Sequence, residues 1–210
     1  MADLNERDAK LIQYLSEAFG KEKELETSLE AHIAMTTKAP YKKRLKVHLK
    51  ETKAHAKAVE RRIKKLGGGG QLTQTAVGKV MAAAKGPLHM IRGSGEQEKM
   101  LKNAKTEYFN EHEEIATYLA IETLAEKVGD RETAQLAKGI RREEERMAKF
   151  LEGQIKSLTG AVVSEEVPRA QRRAAKAKRS PSKAKRPPAK AKRPAAKTKR
   201  ARKPARSSSR

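Results

Sequence analysis

Four stretches of 25 residues or more place apolar side chains at steps of three, four and seven, and none alternates as a strand does. A 3.6-residue period sustained over such lengths predicts long amphipathic helices packed side by side. The first stretch runs from about Asn5 to Met35, with Leu11, Leu15, Ala18, Leu25, Leu29 and Ile33 on one stripe. The second runs from about Pro40 to Leu66; Pro40 suits a first helical turn, and Gly67 to Gly70 end the helix. The third spans about Gln97 to Val128, with Gly129 closing it and Asp130 capping the next helix. The fourth spans about Arg131 to Leu158 and is expected to stop before Gly160.

The connections predict the topology. The first two helices form one hairpin and the last two another. The roughly 30 residues from Gly67 to Glu96 make a crossover long enough to span a bundle, with a short helix expected over Leu72 to Ala84. The expected fold is therefore all-α, a ferritin-like four-helix bundle over residues 1–160, followed by a disordered tail over 161–210. The crossover is basic, with Lys79, Lys85, His89 and Arg92 and no acid before Glu96, which makes it a second candidate contact for a polyanion.

The tail carries most of the charge. From Pro168 to Arg210 there are 19 Lys or Arg residues and no Asp or Glu, which leaves 30 basic and 26 acidic side chains for the rest of a chain whose net charge is +23. Lys-Arg pairs recur every seven residues, at Lys178-Arg179, Lys185-Arg186, Lys192-Arg193 and Lys199-Arg200. Prolines between the pairs and the lack of apolar positions exclude a coiled coil. A chain with almost no large apolar residue cannot offset the entropy of ordering. Such an arm suits phosphate neutralisation with counterion release, hence DNA binding without sequence preference. A solubilising role and attraction to acidic lipid are the blander alternatives. The repeat resembles the Lys-Ala-Pro tails of linker histones and of some actinobacterial nucleoid proteins.

Other classes are excluded or disfavoured. There is no cysteine, so disulfides, thiolate metal sites and thiol catalysis are out. No stretch approaches the roughly 20 apolar residues of a spanning helix, and Asp3, Glu6 and Asp8 do not suit a secretory signal. The expected location is cytoplasmic and nucleoid-associated, and a homodimer is compatible with the pattern.

Carboxylates interrupt the stripes where a core should be apolar. Glu22 falls between Ala18 and Leu25; His48, Thr52 and His55 share a face with Leu45 and Val59, with Glu51 beside them. Glu107, Glu111 and Glu114 lie on or near the inward stripe of the third helix, and Glu143 and Glu144 sit between Ile140 and Met147. One such residue taken singly reads as a solvated side chain. Four helices contributing together read as a site where cations offset carboxylate repulsion, and oxygen ligands with imidazoles suit iron or manganese.

At these residues the chain is similar to the ferritin-like DUF892 family. The matching motifs are Phe19-x-x-Glu22-Lys23-x-Leu25, His48-Leu49-Lys50-Glu51-Thr52-Lys53-Ala54-His55, Glu111-His112-Glu113-Glu114-Ile115-Ala116-Thr117-Tyr118, and the Glu143-Glu144 pair. The resemblance covers roughly Asp8 to Leu158 and implies the ligands Glu22, Glu51, His55, Glu111, Glu114 and Glu144, holding two iron or manganese ions about 3.5 to 4 Å apart. His48 is the alternative to His55, or a residue that orients a ligand. The chain departs from the family pattern at Ala148, where an acidic residue is common, and in its basic crossover.

The combination predicts a nucleoid-associated protein that binds iron or manganese, oxidises Fe(II) with O2 or peroxide, and binds DNA through its tail to protect it under stress. The rival reading is a metal-free structural protein that compacts DNA, with the bundle as a dimerising body.

Overall fold

The computed structural model describes residues 5–69 and 95–172. Among them are four long helices: α1 Glu6–Met35, α2 Ala39–Lys65, α3 Glu96–Lys127 and α4 Arg131–Glu166, with a short 3-10 turn at Arg169–Gln171. The crossover helix expected over Leu72 to Ala84, the basic crossover residues and the Lys-Arg pairs of the tail lie outside the described residues.

Local chemistry sets the helix ends. The Asn5 side chain accepts from Asp8 N at 2.8 Å and starts α1; Pro40 lies in the first turn of α2. α2 closes through Gly67 at φ 90°, with Gly67 N donating to Lys64 O and Gly68 N to Ile63 O. α3 closes in the same way through Gly129 at φ 75°, with Gly129 N donating to Glu126 O and Asp130 N to Ala125 O. Paired bonds of this kind satisfy the last carbonyls, and the left-handed residue favours glycine.

One helix end differs from expectation. α4 does not stop before Gly160 but continues to Glu166. A single glycine costs a helix only about 1 kcal/mol, and the buried Leu158 holds the last turns against the bundle. The stop comes at Val167, whose extended backbone is the conformation a following proline, here Pro168, demands.

The helices pack as a square in which α1 neighbours α2 and α3, and α4 neighbours α3 and α2. All neighbouring pairs run antiparallel. Along α1 and α3, Thr37 meets Glu96 and Met100, His32 meets Glu107, and Glu22 meets Tyr118. Along α2 and α4, Tyr41 meets Phe150, His55 meets Glu143, and Arg62 meets Glu132. The end of α2 and the start of α3 therefore lie at opposite ends of the bundle, as ferritin-like connectivity requires.

The apolar core is divided. One cluster packs Ile12, Leu15, Ala18, Val59, Ile63, Tyr118, Ile121 and Ile140. Another packs Leu29, Tyr41, Leu45, Met100, Ala104, Met147 and Leu151. Each fully buried Leu or Ile contributes about 1.5 to 3 kcal/mol, so the two clusters can carry a polar layer between them. At the first cluster's end, Arg62 ties α2 to α4: Nη2 donates to Asp130 Oδ2 at 2.6 Å and Nε to Thr133 Oγ1 at 2.7 Å. Among the described residues, no helix is long and apolar enough to cross a membrane.

Candidate metal centre

Between the two apolar clusters the inward positions of all four helices are ionisable. α1 supplies Glu22, α2 supplies His48 and His55, α3 supplies Glu111 and Glu114, and α4 supplies Glu144. Helical spacing explains the convergence: His48 and His55 are seven residues apart, two turns on one face, and Glu111 and Glu114 are three apart. Every one of these side chains is buried; the four carboxylates are at most 1% exposed.

Two groups of ligand atoms form. Glu22, His55 and Glu144 bring one atom each to within 4.8 Å of one another, and so do His48, Glu111 and Glu144. Glu144 belongs to both. Within them, His48 Nε2 lies 3.0 Å from Glu111 Oε1 and 3.7 Å from Glu144 Oε2, and His55 Nδ1 lies 2.9 Å from Glu144 Oε1 and 3.6 Å from Glu22 Oε1.

Each imidazole is held from behind by a further carboxylate. His48 Nδ1 donates to Glu51 Oε2 at 3.3 Å, and the same oxygen accepts from Arg44 Nη1 at 2.8 Å. His55 Nε2 donates to Glu143 Oε2 at 2.9 Å. Outer carboxylates of this kind fix ring orientation and turn the second nitrogen inward. Tyr118 Oη donates to Glu22 Oε1 at 2.5 Å.

Of the six ligands expected from sequence, Glu22, His55, Glu111 and Glu144 fall within the two groups. Glu114 stands outside both but is fully buried, and neither of its oxygens has a hydrogen-bond partner. Glu51 also stands outside them, at the outer side of His48 with its side chain 28% exposed. His48 takes the inner position. The signal in the sequence is Leu45-His48-Thr52-His55-Val59, which puts His48 on the buried stripe and Glu51 on its flank. Ala148, four residues and one turn after Glu144 on α4, offers no side-chain oxygen.

Electrostatics mark the layer as short of positive charge. Burial, and then the Glu144 charge, raise Glu22 to about 8 against the pull of His55 and Tyr118. Burial raises Glu111 to about 8 as well, against His48. Glu114 is raised well above the ordinary value by burial and by Glu22, Glu144 and Glu111. Burial works against the charged forms of His48 and His55, but the surrounding carboxylates outweigh it and raise both, His55 to about 9. Glu144 is lowered despite burial, because both imidazoles face it. Glu51 falls to about 2, chiefly through its hydrogen bond from His48.

The donor set fits a divalent cation. Glu22 Oε2, Glu111 Oε2 and both oxygens of Glu114 are buried without a hydrogen bond, and Glu144 is met from the imidazole side of the layer, with His55 Nδ1 2.9 Å from its Oε1. Buried oxygen lone pairs without a partner cost several kcal/mol unless protons or cations occupy them. Carboxylates with imidazoles are the ligands that suit iron, manganese and zinc.

Comparison with known proteins agrees with this architecture. A family model described as a domain of unknown function, DUF892, matches residues 6–164. A crystal structure of a Xanthomonas campestris protein superposes with a TM-score of 0.62 at 25% identity, covering 77% of this chain and 99% of that one. YcfI of Rhodopseudomonas palustris gives a TM-score of 0.58 at 21% identity, covering 72% and 96%. The Escherichia coli stress protein YciF gives 0.57 at 20% identity, covering 76% and 99%. The last two likenesses show the fold alone. No curated protein matches the sequence.

Proposed function

The chain belongs to the DUF892 family, and from that membership and its buried His/Glu layer we propose a ferritin-like metal protein that works on DNA. It holds iron or manganese, oxidises Fe(II) with O2 or peroxide, and is kept at DNA by its basic tail. Glu144 carries the metal reading: one buried carboxylate shared by two three-residue groups is placed to serve two ions at once. Iron or manganese bound there supplies one-electron redox chemistry that the side chains lack.

The residues divide the work. Glu22, His55 and Glu144 hold one ion, and His48, Glu111 and Glu144 the other. Glu114 offers two further oxygens beside both. Glu51 and Glu143 orient the imidazoles. Protons held on Glu22, Glu111 and Glu114 must leave as cations arrive, which couples binding to pH. The apolar clusters above and below keep bulk water from the layer.

The DNA reading rests on the 19 basic residues without an acid from Pro168 onward. An oxidase tethered there removes Fe(II) and peroxide before they generate radicals beside the bases, a protective role under stress.

Elemental analysis of full-length protein purified without chelator tests the metal reading. Bound iron or manganese is expected in the native chain, with most of it lost in Glu144→Gln and aerobic Fe(II) consumption falling with it. A native chain that carries no iron or manganese would leave the bundle as the metal-free body of a DNA-compacting protein, and metal fully retained in Glu144→Gln would overturn the role given to the shared carboxylate.

A further inference from the structure

One helical turn along α3 from Glu111, a second set of polar groups is sealed inside the bundle. His32 of α1, Glu107 of α3 and Tyr41 of α2 are exposed by 0, 0 and 1%. None belongs to the two central ligand groups. His32 Nδ1 is in direct contact with Glu107 Oε1. Glu107 Oε2 and the Tyr41 hydroxyl are buried and without a hydrogen-bond partner. The Tyr41 hydroxyl feels both nearby carboxylates: burial, then Glu107 and Glu111, raise its pKa above the ordinary phenol value.

An apolar bundle has no structural need of these groups. The second polar layer sits within the cluster of Leu29, Leu45, Met100, Ala104 and Met147, where Leu or Ala would pack at lower cost. A His–Glu pair kept only for structure would be expected to satisfy both carboxylate oxygens. Here one oxygen and a phenol are left over in a region closed to solvent. An imidazole nitrogen in contact with a carboxylate, and a phenol near enough to feel that carboxylate's charge, are donor types that suit a divalent cation of borderline hardness.

We propose that His32 and Glu107 hold a further divalent cation, with Tyr41 as its third neighbour, at a site separate from the central layer and in series with it. Glu107 precedes Glu111 by four residues, about 6 Å along the helix axis. An ion at His32 and Glu107 is thus one step from the central carboxylates, positioned as a holding site for ions moving to or from them. The site uses none of the central ligands, so its occupancy is separable from theirs.

The test uses the full-length protein, freed of metal and then titrated with Zn(II) alone. Crystals of the native chain examined by anomalous diffraction at the zinc edge are expected to show a peak within bonding distance of His32 Nδ1 and Glu107. The double variant His32→Leu/Glu107→Ala is expected to lose that peak and one equivalent of zinc per chain while central zinc stays. Glu144→Gln is expected to do the reverse. A native map with no peak at His32, only a water or a direct hydrogen bond, overturns the proposal, and it decides the matter even if the double variant does not fold. An unchanged zinc equivalence in the folded double variant, or loss of the His32 ion in Glu144→Gln, overturns it equally.

Discussion

At the scale of single residues, the bundle stores protons where ordinary carboxyls have none. Glu22 and Glu111 are raised from 4.5 to about 8, so between those values the folded chain keeps protons that the unfolded chain has released. Stability must then fall as pH rises through that window. His55 acts in the same direction: raised from 6.5 to about 9, its contribution is complete below the lower value and gone above the higher. Chelator-treated protein is therefore expected to melt at a lower temperature at about pH 9 than at about pH 5.5. A melting temperature that climbs over this range would show these carboxyls ionised in the folded state. Tyr118→Phe removes the hydroxyl that supports ionised Glu22. It is expected to weaken metal binding about tenfold, as loss of a supporting hydrogen bond does in other metal sites; titration with Mn(II) followed by electron paramagnetic resonance reads this directly. The convergence of these carboxylates is legible in sequence because each breaks an apolar stripe. The inward place of His48 is legible too, since it shares a stripe with Leu45, Thr52 and Val59; which carboxylate each imidazole meets is not, because packing against α3 and α4 sets it.

At the scale of elements, punctuation residues do what their chemistry dictates. Gly129 is left-handed and open space surrounds its missing side chain, so Gly129→Ala tests backbone strain alone. A cost of about 1 kcal/mol is expected in denaturant melts. Asp130 does more than cap α4: it accepts from Thr133 N at 3.0 Å and from the buried Arg62 guanidinium. Asp130→Ala is expected to cost about 2 kcal/mol or more, beyond an ordinary cap, because Arg62 loses a buried partner. Stability equal to the native chain would mean that Glu132 and Thr133 suffice to satisfy Arg62. The end of α4 is not legible in sequence, for a physical reason. Gly160 looks like a terminator, but a helix already anchored by Leu158 tolerates one glycine and yields only to the proline at 168.

For the whole molecule, the separation of charge is the governing fact. A chain ending at residue 172 keeps all four helices but loses most of the polycation. It is expected to keep its melting temperature and to lose DNA affinity by more than tenfold at low salt. The full-length chain is expected to bind with a steep negative slope of log affinity against log salt, since each neutralised phosphate releases counterions. Equal DNA affinity with and without residues 173–210 would put the contact elsewhere, with the basic crossover as the next place to look. The amino-acid sequence by itself determined the helices, their order and the presence of a charged arm, because period, capping residues and composition act locally. It also determined that carboxylates would enter the core, because a stripe holds its register along a helix. Only the tertiary structure decided which atoms meet. Glu144 came to be shared by both groups, Glu114 fell outside them, and Glu107 was buried against His32, because each outcome depends on rotation and offset between helices. Those are set by side-chain packing across α1 to α4, and no single stripe contains that information.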